Sequence, residues 1–119
     1  MVASDEKLLK LRDRLRVFAA DRNWDQFHNP KNLAIALIVE AGELVEPFQW
    51  LTEEQSKYLE PKQLSHVQDE VADVLIYLVR LADKLGIDLI ESANKKIDQN
   101  NERYPVSEAY GNAEKTKHK

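Results

Sequence analysis

The chain has 119 residues, no cysteine, and 17 Lys and Arg against 21 Asp and Glu, for a net charge of −4. The length fits one domain with a small core. The missing thiols exclude disulfides, thiolate zinc sites and a cysteine nucleophile, and the acidic balance argues against polymeric nucleic acid as a partner.

The opening, MVASDEKLLK, lacks the apolar stretch of a secretory signal. No apolar run approaches the roughly 18–20 residues of a bilayer span, so a cytoplasmic protein without membrane contact is expected. Three Gly and four Pro are too few for the turns of an all-β domain this long. Residues 5–21 carry Leu8, Leu11, Leu15 and Phe18 at helical spacing and predict an amphipathic helix. Residues 22–29 read as a loop. Asn29 as N-cap and Pro30 at the first helical position open a second helix, which Pro47 ends or bends near Glu46. Thr52 and Gln55 fit a capping box for a short helix within 52–60. Ser65 and Gln68 offer another for the third main helix, which then runs unbroken to Gly86. Asp88 caps a fourth helix, ending near Arg103. The expected fold is an all-α, antiparallel four-helix bundle. Residues 1–106 are expected to form one domain and 107–119 a flexible tail.

Certain acids fall where apolar residues belong. At about 100° per residue, Glu40 lies within about 20° of Leu33, inside the stripe that also holds Leu37 and Leu44. Glu43 lies at the stripe's edge. In the third helix Glu70 shares a stripe with Val74, Tyr77 and Leu81, and Asp73 flanks it. Each helix thus carries an acid pair at i,i+3 toward the bundle interior. An unpaired buried carboxylate costs several kcal/mol, and like neighbours make it worse. A divalent cation with oxygen ligands would offset that cost. The alternative is a solvated rim, or pairing with Arg80 or Lys84. A carboxylate-bridged iron site is disfavoured, because no His follows either pair by three residues.

Glu40-Ala-Gly-Glu43, 26 residues, then Glu70-Val-Ala-Asp73 resembles the E-x-x-E…E-x-x-D signature of the all-α, MazG-like nucleoside triphosphate pyrophosphatases. Longer stretches are similar to the dCTP pyrophosphatase branch: residues 23–30, 40–50, 69–81 and 96–105. The resemblance implies hydrolysis of a nucleoside triphosphate, dCTP and related deoxynucleotides among the candidates, to a monophosphate and pyrophosphate. It implies Mg²⁺ held by Glu40, Glu43, Glu70 and Asp73, with Glu43 a candidate general base. It assigns substrate contacts to Trp24, His28, Trp50, Tyr77, Lys96 and Asn100. On residues alone, the favoured readings are packing groups for Trp24, Trp50 and Tyr77, a local structural group for His28, and a solvated helix face for Lys96 with Asn100. Leu15 stands where dCTP-selective members tend to carry His, which points to relaxed cytosine selectivity. The resemblance also suggests a homotetramer built as a dimer of dimers, and a nucleotide-pool house-cleaning role. The rivals are a non-catalytic helical protein that binds nucleotides or regulates a partner, and a metal-storage bundle.

Overall fold

The computed structural model describes residues 3–113. Every regular element among them is a helix: α1 Ala3–Asp21, α2 Pro30–Val45, α3 Glu53–Ser56, α4 Pro61–Leu85, α5 Leu89–Arg103 and α6 Val106–Ala109. They fall into two compact units, one reaching to Gly86 and the other from Ile87 onward.

Local chemistry sets most boundaries. α1 closes in a Schellman arrangement, with the Trp24 N–H donating to the Ala19 carbonyl at 2.9 Å and the Asn23 N–H to Ala20 at 3.1 Å. Asn23 takes the left-handed conformation this needs, at φ 55°, and Asn tolerates it better than most residues. That turn fixes where Trp24 stands. The Asn29 side chain accepts from the Asn32 N–H at 2.9 Å and Pro30 opens α2, as its sequence predicts. Beyond Val45 the chain continues in tight turns through Leu51. The Thr52–Gln55 capping box forms, with both reciprocal hydrogen bonds present.

The start of α4 differs from expectation. Ser65 and Gln68 lie inside the helix, which begins at Pro61 under a box between Glu60 and Gln63. Pro61 fills the first helical position, where a missing N–H costs nothing; it starts the helix rather than breaking the chain. α4 ends at Gly86, left-handed at φ 67°. In the second unit the Asp88 side chain accepts from the Glu91 N–H and caps α5. Residues 106–109, which straddle the expected start of the tail, form the single turn of α6; the final EKTKHK lies outside the described residues.

α2 and α4 are the main packed pair of the first unit. They run antiparallel: His28, just before α2, meets Arg80 near the end of α4, and Glu40 and Glu43 late in α2 meet Glu70 earlier in α4. α1 joins α4 through Arg16, whose Nε donates to Asp83 Oδ2 at 2.7 Å. Ala19, Leu33, Val79 and Ala82 form the small buried core. Ile35, Ile38, Val39 and Val45 of α2 remain exposed, as do Val71, Leu75 and Leu78 of α4.

Candidate active site

The register of α2 against α4 brings three of the four singled-out acids together. Glu40, Glu43 and Glu70 are half-buried, and one carboxylate oxygen from each lies within 4.8 Å of the others. Oε2 of Glu40 and Oε2 of Glu70 are buried without a hydrogen-bond partner. Buried polar atoms are nearly always satisfied in folded proteins, so two orphans on facing acids mark a place for a ligand. Burial pushes the Glu40 carboxyl up to about 7, helped by its hydrogen bond with Glu43 and by the charges of Glu43, Asp73 and Glu70. Glu70 is raised by burial and then by Glu43, while His66 acts in the opposite sense. Asp73 stands beside the three and adds its charge to both shifts.

Charge compensation from Arg80 and Lys84 does not reach this cluster; both are committed elsewhere. Arg80 is only 3% exposed. Its Nη2 donates to Asp25 Oδ1 at 2.8 Å, its Nε donates to His28 Nδ1 at 3.3 Å, and Asp83 lies 3.7 Å from Nη1. Lys84 bonds the same Asp25 oxygen at 3.1 Å. Lys84 and then Arg80 hold the Asp25 carboxyl below its ordinary range. Among the described residues the basic neighbour at the cluster is His66, with Nε2 3.5 Å from Glu70 Oε1. From sequence, His66 reads as a residue without a role near the end of the bundle, one helical turn before Glu70; the structure sets it against the Glu70 carboxylate.

Beside the acids lies a cavity of about 400 Å³ between α1, the 22–29 loop and α4. Leu11, Leu15, Phe18, Trp24, Ile76 and Tyr77 supply most of its wall, and Asp73, His28, Arg80 and Arg14 supply its polar points. Trp24 is held edge-on by Phe18, at 5.6 Å between ring centroids. Three predicted substrate residues, Trp24, His28 and Tyr77, therefore share one pocket, and Asp73 connects it to the acids. Trp50 stands 86% exposed after α2 and is not a core anchor of the described chain. Lys96 and Asn100 share a face of α5, in the second unit. Sequence reasoning missed the Arg80–His28–Asp25 network. Helical phase puts Arg80 on the flank of Asp73, seven residues earlier on α4, but carries no link to His28 or Asp25.

The family model for MazG-like proteins matches residues 35–118. The chain belongs to the MazG-like family. Relatives within reach include mouse dCTP pyrophosphatase 1, 48% identical over 98 residues, which cover 81% of this chain and 58% of that protein. Human dCTP pyrophosphatase 1 is 44% identical over 100 residues, covering 82% and 59%. This MazG-like chain thus spans less than two thirds of the length of either relative. A crystal structure of a pyrophosphatase from Archaeoglobus fulgidus superposes with a TM-score of 0.78 at 38% identity, over 88% of this chain and 95% of that one. The fold of the chain is therefore shared with a solved pyrophosphatase.

Proposed function

We propose that this chain is a Mg²⁺-dependent nucleoside triphosphate pyrophosphohydrolase that converts deoxynucleoside triphosphates, dCTP among them, to the monophosphate and pyrophosphate. The observation that carries this reading is the Glu40–Glu43–Glu70 cluster, with two orphaned buried oxygens, opening beside an aromatic cavity. Three hard oxygen donors from two helices suit Mg²⁺, and Asp73 is the fourth proposed ligand. When bound, the ion neutralises phosphate oxygens and so favours displacement at phosphorus.

The rest is work for the chain itself. Leu15, Trp24 and Tyr77 exclude water from the base and offer it apolar and π faces. Glu43, within 4.8 Å of the Glu40 and Glu70 carboxylates, is the proposed acceptor for the proton of the attacking water. Trp50 is assigned to stacking on the base. Lys96 and Asn100 are assigned to phosphate or sugar on the family resemblance. We take residues 1–106 to carry the activity, and the setting to be the cytoplasmic nucleotide pool, where removal of unwanted nucleotides is the proposed role. Exposed Ile35, Ile38, Val39 and Val45 on α2 support the homotetramer, because an apolar flank left in water favours being covered by another copy. A panel of canonical and modified NTPs and dNTPs, run with and without Mg²⁺ and with products identified, tests the proposal. Nucleotide binding without turnover would favour a non-catalytic role instead, and bound metal with no nucleotide turnover would favour storage.

A further inference from the structure

We propose that Arg80 is a positioning residue that fixes His28 as an Nε2–H donor on the cavity wall, where it reads a hydrogen-bond acceptor on the substrate's base. The inference rests on the cavity being the base site. It begins with a restriction on protons. A guanidinium has N–H donors, no acceptor, and does not deprotonate in proteins. Arg80 Nε and Nη2 lie 3.3 and 3.2 Å from His28 Nδ1. Nδ1 must therefore be the bare, accepting nitrogen, and the single proton of the neutral ring sits on Nε2.

The surroundings keep that arrangement. Arg80 is itself held by Asp25 and Asp83, so it cannot swing away without leaving a buried charge unpaired. A second proton on His28 would set two N–H groups against each other beside a fixed cation. Burial, then Arg80 and Lys84, push the imidazole below its ordinary value, against the opposing pull of Asp25. Arg14 from α1 and Asp73 from α4 are the other charged groups on the cavity wall. A neutral ring with one donor is poorly suited to phosphate, which attracts cations. In a pocket walled by Leu15, Phe18, Trp24 and Ile76 it is suited to a carbonyl or ring nitrogen of a base. A pyrimidine O2 provides such an acceptor whatever the substituent at position 4, in keeping with activity on more than one deoxynucleotide.

Three histidines in the whole chain make the state of His28 directly readable by long-range ¹H–¹⁵N NMR. The wild-type protein should show the neutral Nε2–H tautomer at pH 8 and should protonate at lower pH than Arg80→Lys, and dCMP should shift Nε2 more than Nδ1. His28→Leu should raise the KM for dCTP by about three- to tenfold at nearly constant kcat, the size of one neutral hydrogen bond. His28→Gln, whose amide can donate from a similar position, should recover most of that loss. Arg80→Lys should release the ring, giving mixed tautomers and an imidazole that protonates nearer to about 6.5. The Ki of dCMP should rise with KM in His28→Leu, while inhibition by pyrophosphate stays unchanged. A His28 that protonates normally in wild type, an Nδ1–H tautomer, or an unchanged KM in His28→Leu would overturn the proposal. So would a loss that appears equally with pyrophosphate. Absence of any nucleotide turnover would instead remove the pyrophosphatase reading, and this proposal with it.

Discussion

Folding moves the Glu40 carboxyl from about 4.5 up to about 7. The folded, metal-free chain therefore holds that proton more tightly than the unfolded chain does. Its contribution to stability is complete below pH 4.5 and is lost as the pH rises through 7. Glu40→Gln should consequently raise the melting temperature of metal-free protein at pH 8, by an amount that shrinks toward pH 4.5. Calorimetry at both ends of that window checks the sign. Glu40→Gln and Glu70→Gln should each reduce Mg²⁺-dependent turnover to background, since both keep shape and remove charge. The same proton makes Mg²⁺ binding pH-linked: affinity should tighten from pH 6 to 8, with proton release measurable by titration calorimetry in buffers of different ionisation heat. Trp50 belongs to a different class. Because it is exposed, Trp50→Ala should leave the melting temperature nearly unchanged, while loss of base stacking raises KM by roughly tenfold or more. An altered fold with unchanged KM would return Trp50 to a packing role. At this scale the acids were legible because a carboxylate on an apolar stripe is a conflict visible in one dimension. The Arg80–His28 contact was not, because it joins residues 52 apart in sequence, and helical phase gives no separation in space.

Elements follow their termini. Asn29, the Thr52–Gln55 pair and Asp88 were readable because each cap acts over three residues. The start of α4 was misread because two capping patterns compete there. Glu60–Gln63 prevails with Pro61 behind it, while Ser65 and Gln68 are simply turns of an established helix. α1 ends through Asn23, a residue whose left-handed backbone no apolar periodicity reveals. Gly86 shows the same requirement at the end of α4. A Cβ there would meet nothing within 4 Å, so Gly86→Ala isolates the backbone cost. It should destabilise by about 1 kcal/mol, without altering KM, by chemical denaturation and steady-state kinetics side by side.

At the scale of the molecule, the exposed apolar flank of α2 is the feature that supports the proposed assembly. Ile35, Ile38, Val39 and Val45 stay exposed on a helix whose buried anchor is Leu33. Equilibrium sedimentation at low micromolar concentration should find species well above 13.8 kDa, near four chains. Ile38→Glu should shift them toward smaller assemblies, because a charge placed in an apolar contact goes unpaired. A wild-type monomer with full activity would show that the flank needs no second copy. The all-helical class was legible from the scarcity of Gly and Pro and from apolar spacing. The cavity was not, since its walls come from α1, the 22–29 loop and α4, and only packing brings Leu11, Trp24 and Tyr77 together.

The most direct test of the central claim is ³¹P NMR of dCTP with the purified protein, with and without Mg²⁺ and with Glu40→Gln as control. The account predicts dCMP and pyrophosphate in equal amounts from the Mg²⁺-containing wild-type sample alone. Orthophosphate released from the γ position, or equal turnover by Glu40→Gln, would contradict it.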